Sequence, residues 1–221
     1  MAAAVDSVLF DFDGPLCRLF AGHPAYKVAD VLKERMRQYG PLTAVVESCD
    51  DPHALLVMVA GKPTEYAAGL SDELDATLAK EEVVAAGSAV ITPGVDTLVK
   101  SLHERGTRLG VVTNNSEESA RLFLLGAGLL DAFDGPIIGR PGDALLMKPH
   151  GYMLRSALDE LGTSSERCLF VGDSWRDVHA ARSAEIPFVG YARDRRKSDE
   201  LASAGAATLI SHMADMESLV W

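Results

Sequence analysis

Four carboxylates in two short segments of this chain could bind a metal ion beside a phosphoryl group. Asp11 and Asp13 lie two residues apart, and Asp173 and Asp177 lie four residues apart much later in the chain. Two carboxylates this close repel each other unless a cation is present or one of them is protonated. Mg²⁺ prefers hard oxygen ligands, and one or two carboxylates together with a substrate phosphate suit it. The alternatives are a solvated Asp-Gly turn at Asp13 and a helix-capping box formed by Ser174 and Asp177.

Groups that could bind an anion occur in two further segments. Thr113 and Asn114 offer side-chain and backbone donors just before a predicted helix. Lys148 directly precedes Pro149, which suits the first position of a helix. A lysine there would face the positive end of the helix dipole, so its placement makes better sense if an anion binds at the same point. A turn capped by Ser116 and an exposed lysine are the alternatives.

Apolar runs with strand character precede these polar segments. Strands are predicted at residues 8–10, 108–112, 136–138, 168–171, 187–190 and 207–210. Helices are predicted between them at residues 92–105, 116–125, 149–161 and 175–184, with a last helix after Ser211. Strands that alternate with helices form right-handed βαβ units and a mostly parallel sheet. We therefore expect an α/β, Rossmann-like three-layer core whose strand ends bring the polar segments to one crevice.

A helical segment interrupts this alternation after the first strand. Helices are predicted over residues 24–39, 51–60 and 71–86, and a glycine follows each of them. The segment is predicted to be an insertion. The core would then consist of residues 1–15 and 89–221, with residues 16–88 as a separate helical domain.

Composition limits the classes of function. The chain has 221 residues and a net charge of −11, which argues against nonspecific binding to nucleic acid or to an anionic membrane. The basic run at residues 193–197 contains an acid and is interpreted as a solvated loop, with a phosphate-bearing partner as the alternative. Cys17, Cys49 and Cys168 lack metal-ligand spacing, the N-terminal residues do not resemble a signal peptide, and no apolar run is long enough to cross a bilayer. We therefore expect a soluble cytoplasmic protein.

Several signatures of other enzyme classes are missing from the sequence. The six histidines show no metal-ligand pairing, which argues against a zinc site. The chain has no P-loop, no dinucleotide-binding G-x-G-x-x-G and no G-x-S-x-G elbow.

With these motifs in this order, the chain resembles the haloacid dehalogenase (HAD) superfamily, and most closely its phosphoglycolate-phosphatase-like branch. The match covers all four polar segments, and the helical insertion occupies the place of the family's helical cap domain. The resemblance implies that Asp11 is the nucleophile and forms an aspartyl-phosphate. It also implies that Asp13 protonates the leaving alcohol and then activates water as a general base.

The resemblance further implies two groups of ligands. The phosphoryl oxygens would be held by three residues from the middle of the chain, Thr113, Asn114 and Lys148. A Mg²⁺ ion would be bound by Asp11, the backbone carbonyl of Asp13 and Asp173, with Asp177 as a further ligand or a support for the others.

Two departures from the family pattern lie after the first acidic motif. Pro15 follows the motif glycine, where the family usually has Thr or Val, and Arg18 with Leu19 replaces an acid followed by Ser or Thr. These changes leave the geometry of the loop into the insertion open. Arg18, His23 and Lys62 are candidates to present positive charge to a substrate, with ordinary surface residues as the alternative.

The function implied by the resemblance is Mg²⁺-dependent hydrolysis of a small phosphomonoester metabolite. A phosphosugar mutase similar to β-phosphoglucomutase is the main alternative, because His23 follows Asp11 by twelve residues, as in that group. A 2-haloacid dehalogenase would need neither a metal nor Asp13. A non-catalytic binding protein would not need the catalytic positions that are filled here.

Overall fold

The computed structural model describes residues 5–220. Its strands are β1 (Ser7–Phe10), β2 (Cys17–Arg18), β3 (Val90–Ile91), β4 (Arg108–Val112), β5 (Ile137–Ile138), β6 (Cys168–Gly172), β7 (Phe188–Tyr191) and β8 (Leu209–Ile210). Residues Met1–Ala4, on which the signal-peptide expectation partly depends, and Trp221 lie outside the described residues.

The helices follow the predicted alternation. They are α1 (Ala25–Arg37), α2 (Ala44–Glu47), α3 (Pro52–Ala60), α4 (Leu70–Ala86), α5 (Val95–Glu104), α6 (Glu117–Gly126), α7 (Tyr152–Leu161), α8 (Trp175–Ser183), α9 (Arg195–Ala204) and α10 (Glu217–Val220). Within residues 5–220, none of them combines the length and apolarity needed to span a bilayer.

Six strands form one parallel sheet in the order β5-β4-β1-β6-β7-β8. Val8 and Phe10 of β1 pack in a cluster with α5 and α6, whereas Leu9 packs in a second cluster with α7 and α8. Successive side chains of a strand point to opposite faces, so a central strand is buried on both faces. The predicted α/β three-layer fold is confirmed.

The register of the central strands brings the polar segments together. Phe10 of β1 pairs with Val111 of β4 on one side and with Val171 of β6 on the other. Because the three strands are parallel, the segments that follow them emerge at the same edge of the sheet.

Helices α1 to α4 lie between β2 and β3, and their apolar side chains form a further cluster that Ala144 and Met147 of the core join. Leu32 of α1, Leu55 of α3 and Leu74 of α4 are fully buried in it. Strands β2 and β3 form an antiparallel pair where the chain leaves the core and returns to it. The assignment of residues 16–88 to a separate domain stays a prediction.

The predicted start of α7 is wrong. The helix begins at Tyr152 rather than at Pro149. The His150 N–H group donates to the Met147 carbonyl oxygen at 2.9 Å, so residues 147–150 form a turn instead of the first helical turn. Lys148 therefore is not at the first position of a helix, and the helix dipole does not favour an anion beside it.

The basic run at residues 193–197 is also not simply a solvated loop. Its last three residues begin α9, and the Lys197 side chain is only 12% exposed because it contacts Asp173. The sequence pattern does not predict β2, β3 or α2, because two to four residues are too few to establish a periodicity.

Candidate active site

A pocket of about 350 Å³ lies at the edge of the sheet where the central strands end. Seven residues that the sequence singles out line it: Asp11, Asp13, Thr113, Asn114, Lys148, Asp173 and Asp177. The expected convergence of the four polar segments is therefore present in the structure.

Lys148 lies at the centre of the buried charges. Its Nζ atom is 2.8 Å from Asp11 Oδ1 and 2.6 Å from Asp177 Oδ1, and it donates to the Val112 carbonyl oxygen at 2.9 Å. Burial lowers the pKa of this lysine, but the two carboxylates outweigh burial and raise its pKa above the usual value. The ammonium group therefore stays charged inside the protein.

Asn114 fixes the backbone of Lys148. Its side-chain oxygen accepts from the Lys148 N–H group, and its amide Nδ2 donates to the Lys148 carbonyl oxygen, both at 2.9 Å. The Thr113 hydroxyl oxygen accepts from the backbone and side-chain N–H groups of Asn115, at 3.1 Å each. The structure thus gives Asn114 a positioning role, and its contact with a phosphate stays a prediction.

Asp11 continues the line of β1 into the pocket. Its N–H group donates to the Val171 carbonyl oxygen at 2.8 Å, which extends the pairing with β6 by one residue. Burial, followed by the negative charge of Asp177, raises its pKa to about 7, although Lys148 acts in the opposite direction. A further cation would favour the ionised form of this carboxyl group.

Asp173 is a second buried acid with a raised pKa. Burial raises its pKa to about 6, in spite of Lys197, whose Nζ atom lies 3.0 Å from Asp173 Oδ2. Gly14 leaves the space for this carboxyl group, because a Cβ atom at position 14 would lie 2.4 Å from Asp173 Cγ. The turn after β1 and the end of β6 are thus in direct contact.

Asp177 forms a helix-capping box and also lies in the acidic cluster, the two roles that the sequence left open. Its Oδ2 atom accepts from the Ser174 N–H and hydroxyl groups at 3.0 and 2.6 Å, which forms the capping box of α8. Its Oδ1 atom pairs with Lys148. One carboxylate oxygen each from Asp11, Asp173 and Asp177 lie within 4.8 Å of one another, so these three acids could hold a metal ion.

Asp13 lies in the same pocket but is bonded separately. Its Oδ1 atom accepts from the Leu19 N–H group at 2.8 Å. Burial raises its pKa, while the bond from Leu19 and the charge of His53 act in the opposite direction. This carboxyl group therefore lines the same pocket as the three clustered acids without being paired to Lys148.

The pocket lining does not include Arg18, His23 or Lys62. Arg18 is exposed in β2, and Lys62 is exposed and lies 2.8 Å from Glu65. His23 Nε2 lies 2.7 Å from Glu81 Oε2. The expectation that these three residues contact a substrate therefore finds no support in this arrangement.

The pocket also contains groups that are not among the predicted site residues. They are His53 and Asp51 at the start of α3, Arg176 in the first turn of α8, and Arg193 with Lys197. An ion pair of 2.8 Å between Asp51 and Arg176 connects the inserted helices to the core. The sequence predicts that a helix starts at Asp51, but it does not predict that the first turn of this helix faces the pocket.

Together, the fold and the site define a parallel α/β enzyme with a buried acidic centre and a buried lysine at the edge of its sheet. Residues 5–185 match the haloacid dehalogenase-like hydrolases, and the chain belongs to that family. The resemblance seen in the sequence motifs is confirmed.

Relatives and solved structures agree with this assignment. The phosphoglycolate phosphatase of Rhodospirillum rubrum is 33% identical, over 95% of this chain and 88% of that protein. The phosphoglycolate phosphatase of Rhodobacter capsulatus is 30% identical, over 87% of this chain and 86% of its own. A crystal structure described as a predicted phosphatase from Clostridium acetobutylicum has a TM-score of 0.74 at 19% identity and covers 99% of both chains, which supports the fold.

Proposed function

We propose that this protein is a Mg²⁺-dependent phosphatase that hydrolyses a small phosphomonoester metabolite through an aspartyl-phosphate. The observation that carries the proposal is the buried ammonium group of Lys148, which contacts both Asp11 and Asp177 in a pocket shared with Asp173. The proposed nucleophile, a cation and acids that could hold a metal ion thus lie side by side.

The acidic residues fit a divalent ion. Burial disfavours charge on Asp11 and Asp173, so their ionised forms need more positive charge than Lys148 alone provides. We assign Asp11, Asp173 and the backbone carbonyl of Asp13 to Mg²⁺, with Asp177 supporting them. Bound there, the ion would screen the phosphoryl charge and polarise its oxygens.

Asp11 and Asp13 divide the reaction between them. A carboxylate oxygen of Asp11 forms a bond to phosphorus while the bond from phosphorus to the substrate's alcohol oxygen breaks. Asp13 gives its proton to that alcohol oxygen, and its raised pKa favours the protonated form that this step needs. Asp13 then takes a proton from water as the water oxygen attacks phosphorus, which releases phosphate and restores Asp11.

The remaining polar residues would hold the phosphoryl group. Thr113 and Asn114 lie in the pocket at the end of β4, and Lys148 presents a fixed positive charge beside the attacking oxygen. Charge that is positioned before the reaction stabilises the transition state without a cost of reorganisation.

The relatives' names point to a first substrate to test, 2-phosphoglycolate.

We also propose that residues 16–88 form a cap domain over the pocket, since Asp51 and His53 from this segment line it. The free cysteines Cys17, Cys49 and Cys168 support a reducing, cytoplasmic location. A mutase is less well supported, because His23 lies outside the pocket lining and pairs with Glu81.

The decisive experiment is hydrolysis by the Asp11→Asn variant in the presence of Mg²⁺. We expect kcat to fall by at least ~10³-fold, because the amide oxygen is a poor nucleophile, while the protein stays folded. Asp199→Asn, at an exposed position of α9, is the matched control and should retain wild-type activity. Retained turnover in Asp11→Asn, or no hydrolysis of any phosphomonoester by the wild type, would refute the proposal.

A further inference from the structure

Glu82 of α4 is a fully buried acid that the proposed reaction does not use. Its Oε2 atom accepts from the Ser116 N–H group at 2.7 Å, at the start of α6. Its Oε1 atom lies 2.8 Å from Arg140 Nη1 and 3.2 Å from His53 Nε2. Burial alone would raise the pKa of Glu82, but His53 and Arg140 together hold it below the usual value, so the group is a buried carboxylate.

Two of the three partners of Glu82, Arg140 and His53, connect it to the pocket. Arg140, whose side chain is 2% exposed, also donates to the Asn114 carbonyl oxygen at 2.9 Å. Asn114 in turn fixes the backbone of Lys148. The carboxylate of an inserted helix is therefore bonded both to the segment that positions Lys148 and to a histidine of the pocket lining.

The His53 ring is held by one nitrogen and leaves the other for a ligand. Its Nε2–H group donates to Glu82, which has no proton to give in return. Its Nδ1 atom lies 3.9 Å from Asp51 Oδ1, which is too long for a hydrogen bond. The ring is also close enough to Asp13 for its charge to act on that carboxyl group.

We propose that His53 is a specificity-determining residue that bonds through Nδ1 to an oxygen on the leaving group of the substrate, with Glu82 as its positioning residue. The inference rests on the proposed phosphatase function. Asp13 would protonate the oxygen between phosphorus and the leaving group, and His53 lines the same pocket. The Nδ1 atom accepts a hydrogen bond from a hydroxyl group when the ring is neutral and donates one to a carboxylate when the ring carries both protons, so the preferred substrates are phosphomonoesters whose alcohol part bears one of these groups.

A matched pair of substrates tests this proposal. 2-Phosphoglycolate and ethyl phosphate have leaving groups of similar size, but only the first carries a further oxygen function, and sn-glycerol 3-phosphate adds a hydroxyl-bearing probe. We expect His53→Ala to lower kcat/KM for the better of the two oxygen-bearing esters by about tenfold, the effect of one lost hydrogen bond. The same variant should change kcat/KM for ethyl phosphate by less than about threefold.

Two further variants separate positioning from general support of the fold. Glu82→Gln keeps an acceptor oxygen for one of its partners and should reduce the same selectivity ratio in the same direction. His23→Ala tests the competing histidine, which pairs with Glu81 one residue before Glu82 and lies outside the pocket lining. Thermal unfolding of each variant shows whether it is folded under the assay conditions, so that its kcat/KM can be compared with that of the wild type.

The outcomes distinguish failure of this inference from failure of the proposed function. Equal losses on both kinds of ester in His53→Ala, or a larger loss of selectivity in His23→Ala, would overturn the role of His53. So would a wild-type protein that hydrolyses ethyl phosphate at least as efficiently as both oxygen-bearing esters. Absence of hydrolysis of all three esters by the wild type would instead refute the phosphatase function itself.

Discussion

The ammonium group of Lys148 compensates the negative charges of two buried carboxylates in the site. This group is almost completely buried and contacts Asp11, Asp177 and a backbone carbonyl. A buried ion pair contributes little net stability, but removal of one partner leaves the other charge without compensation. Lys148 therefore matters for folding as well as for the proposed chemistry.

Lys148→Met should lower the free energy of unfolding by about 3–5 kcal/mol, because two buried carboxylates lose their cation. Equilibrium denaturation at pH 7.5 in the absence of divalent ions measures this change. Lys27→Met, at an exposed position of α1, is the comparison and should stay within about 0.5 kcal/mol of the wild type. A loss below 1 kcal/mol in Lys148→Met would contradict the charge balance described above.

At the scale of elements, the turn that follows β1 determines how closely the end of β6 can approach. Gly14 has a φ of +120°, which L side chains rarely adopt, and a Cβ atom there would overlap the carboxyl group of Asp173. The acidic site thus depends on a glycine that carries no functional group.

Gly14→Ala should therefore weaken Mg²⁺ binding as well as the fold. Gly106 is the control, because it has a φ of +81° with no atom within 4 Å of a Cβ placed there. Both substitutions should cost about 1–3 kcal/mol through backbone strain. Only Gly14→Ala should raise the Mg²⁺ concentration for half-maximal activity, by about tenfold or more, through displacement of Asp173. Equal Mg²⁺ dependence in the two variants would show that Gly14 has only a local effect on the backbone.

The elements also show what a sequence can and cannot predict about this site. Asp11, Lys148 and Asp173 were predictable because they lie at or near strand ends, and parallel strands bring their ends together. The turn at Pro149 was not predictable, because proline locally favours the first turn of a helix whereas α7 begins only at Tyr152. The burial of Lys197, within the run interpreted as a solvated loop, was not predictable because the contact with Asp173 that buries it joins residues distant in sequence.

At the scale of the whole molecule, the inserted helices meet the core through specific polar contacts. Asp51 pairs with Arg176 at the start of α8, and Glu82 bonds to Ser116 at the start of α6. Which histidine lines the pocket depends on how the inserted helices pack against the core. The periodicity of apolar residues within a helix does not predict that packing. That His53 rather than His23 lines the pocket therefore follows from the tertiary structure.

The charge of the acidic site also connects pH to the stability of the whole protein. The pKa of Asp11 rises from 3.8 to about 7 on folding, and that of Asp173 rises from 3.8 to about 6. Between pH 4 and pH 7, these two carboxyl groups therefore bind more protons in the folded metal-free protein than in the unfolded chain. Stability rises with pH only where the unfolded state binds more protons, so these two groups make the metal-free protein less stable as pH increases through this range.

Mg²⁺ should reverse this trend, because its binding requires the ionised carboxylates and stabilises only the folded protein. We expect the increase in Tm caused by a saturating concentration of Mg²⁺ to be small at pH 5 and to grow through pH 7. At pH 7.5 it should correspond to roughly 2–3 kcal/mol when Mg²⁺ is about 100-fold above its Kd. Asp173→Asn removes both a ligand and a carboxylate with a raised pKa, so it should flatten the pH dependence and abolish most of the Mg²⁺ effect. If the shift in Tm were equal at pH 5 and pH 7.5, these acids could not be the groups whose ionisation is coupled to metal binding.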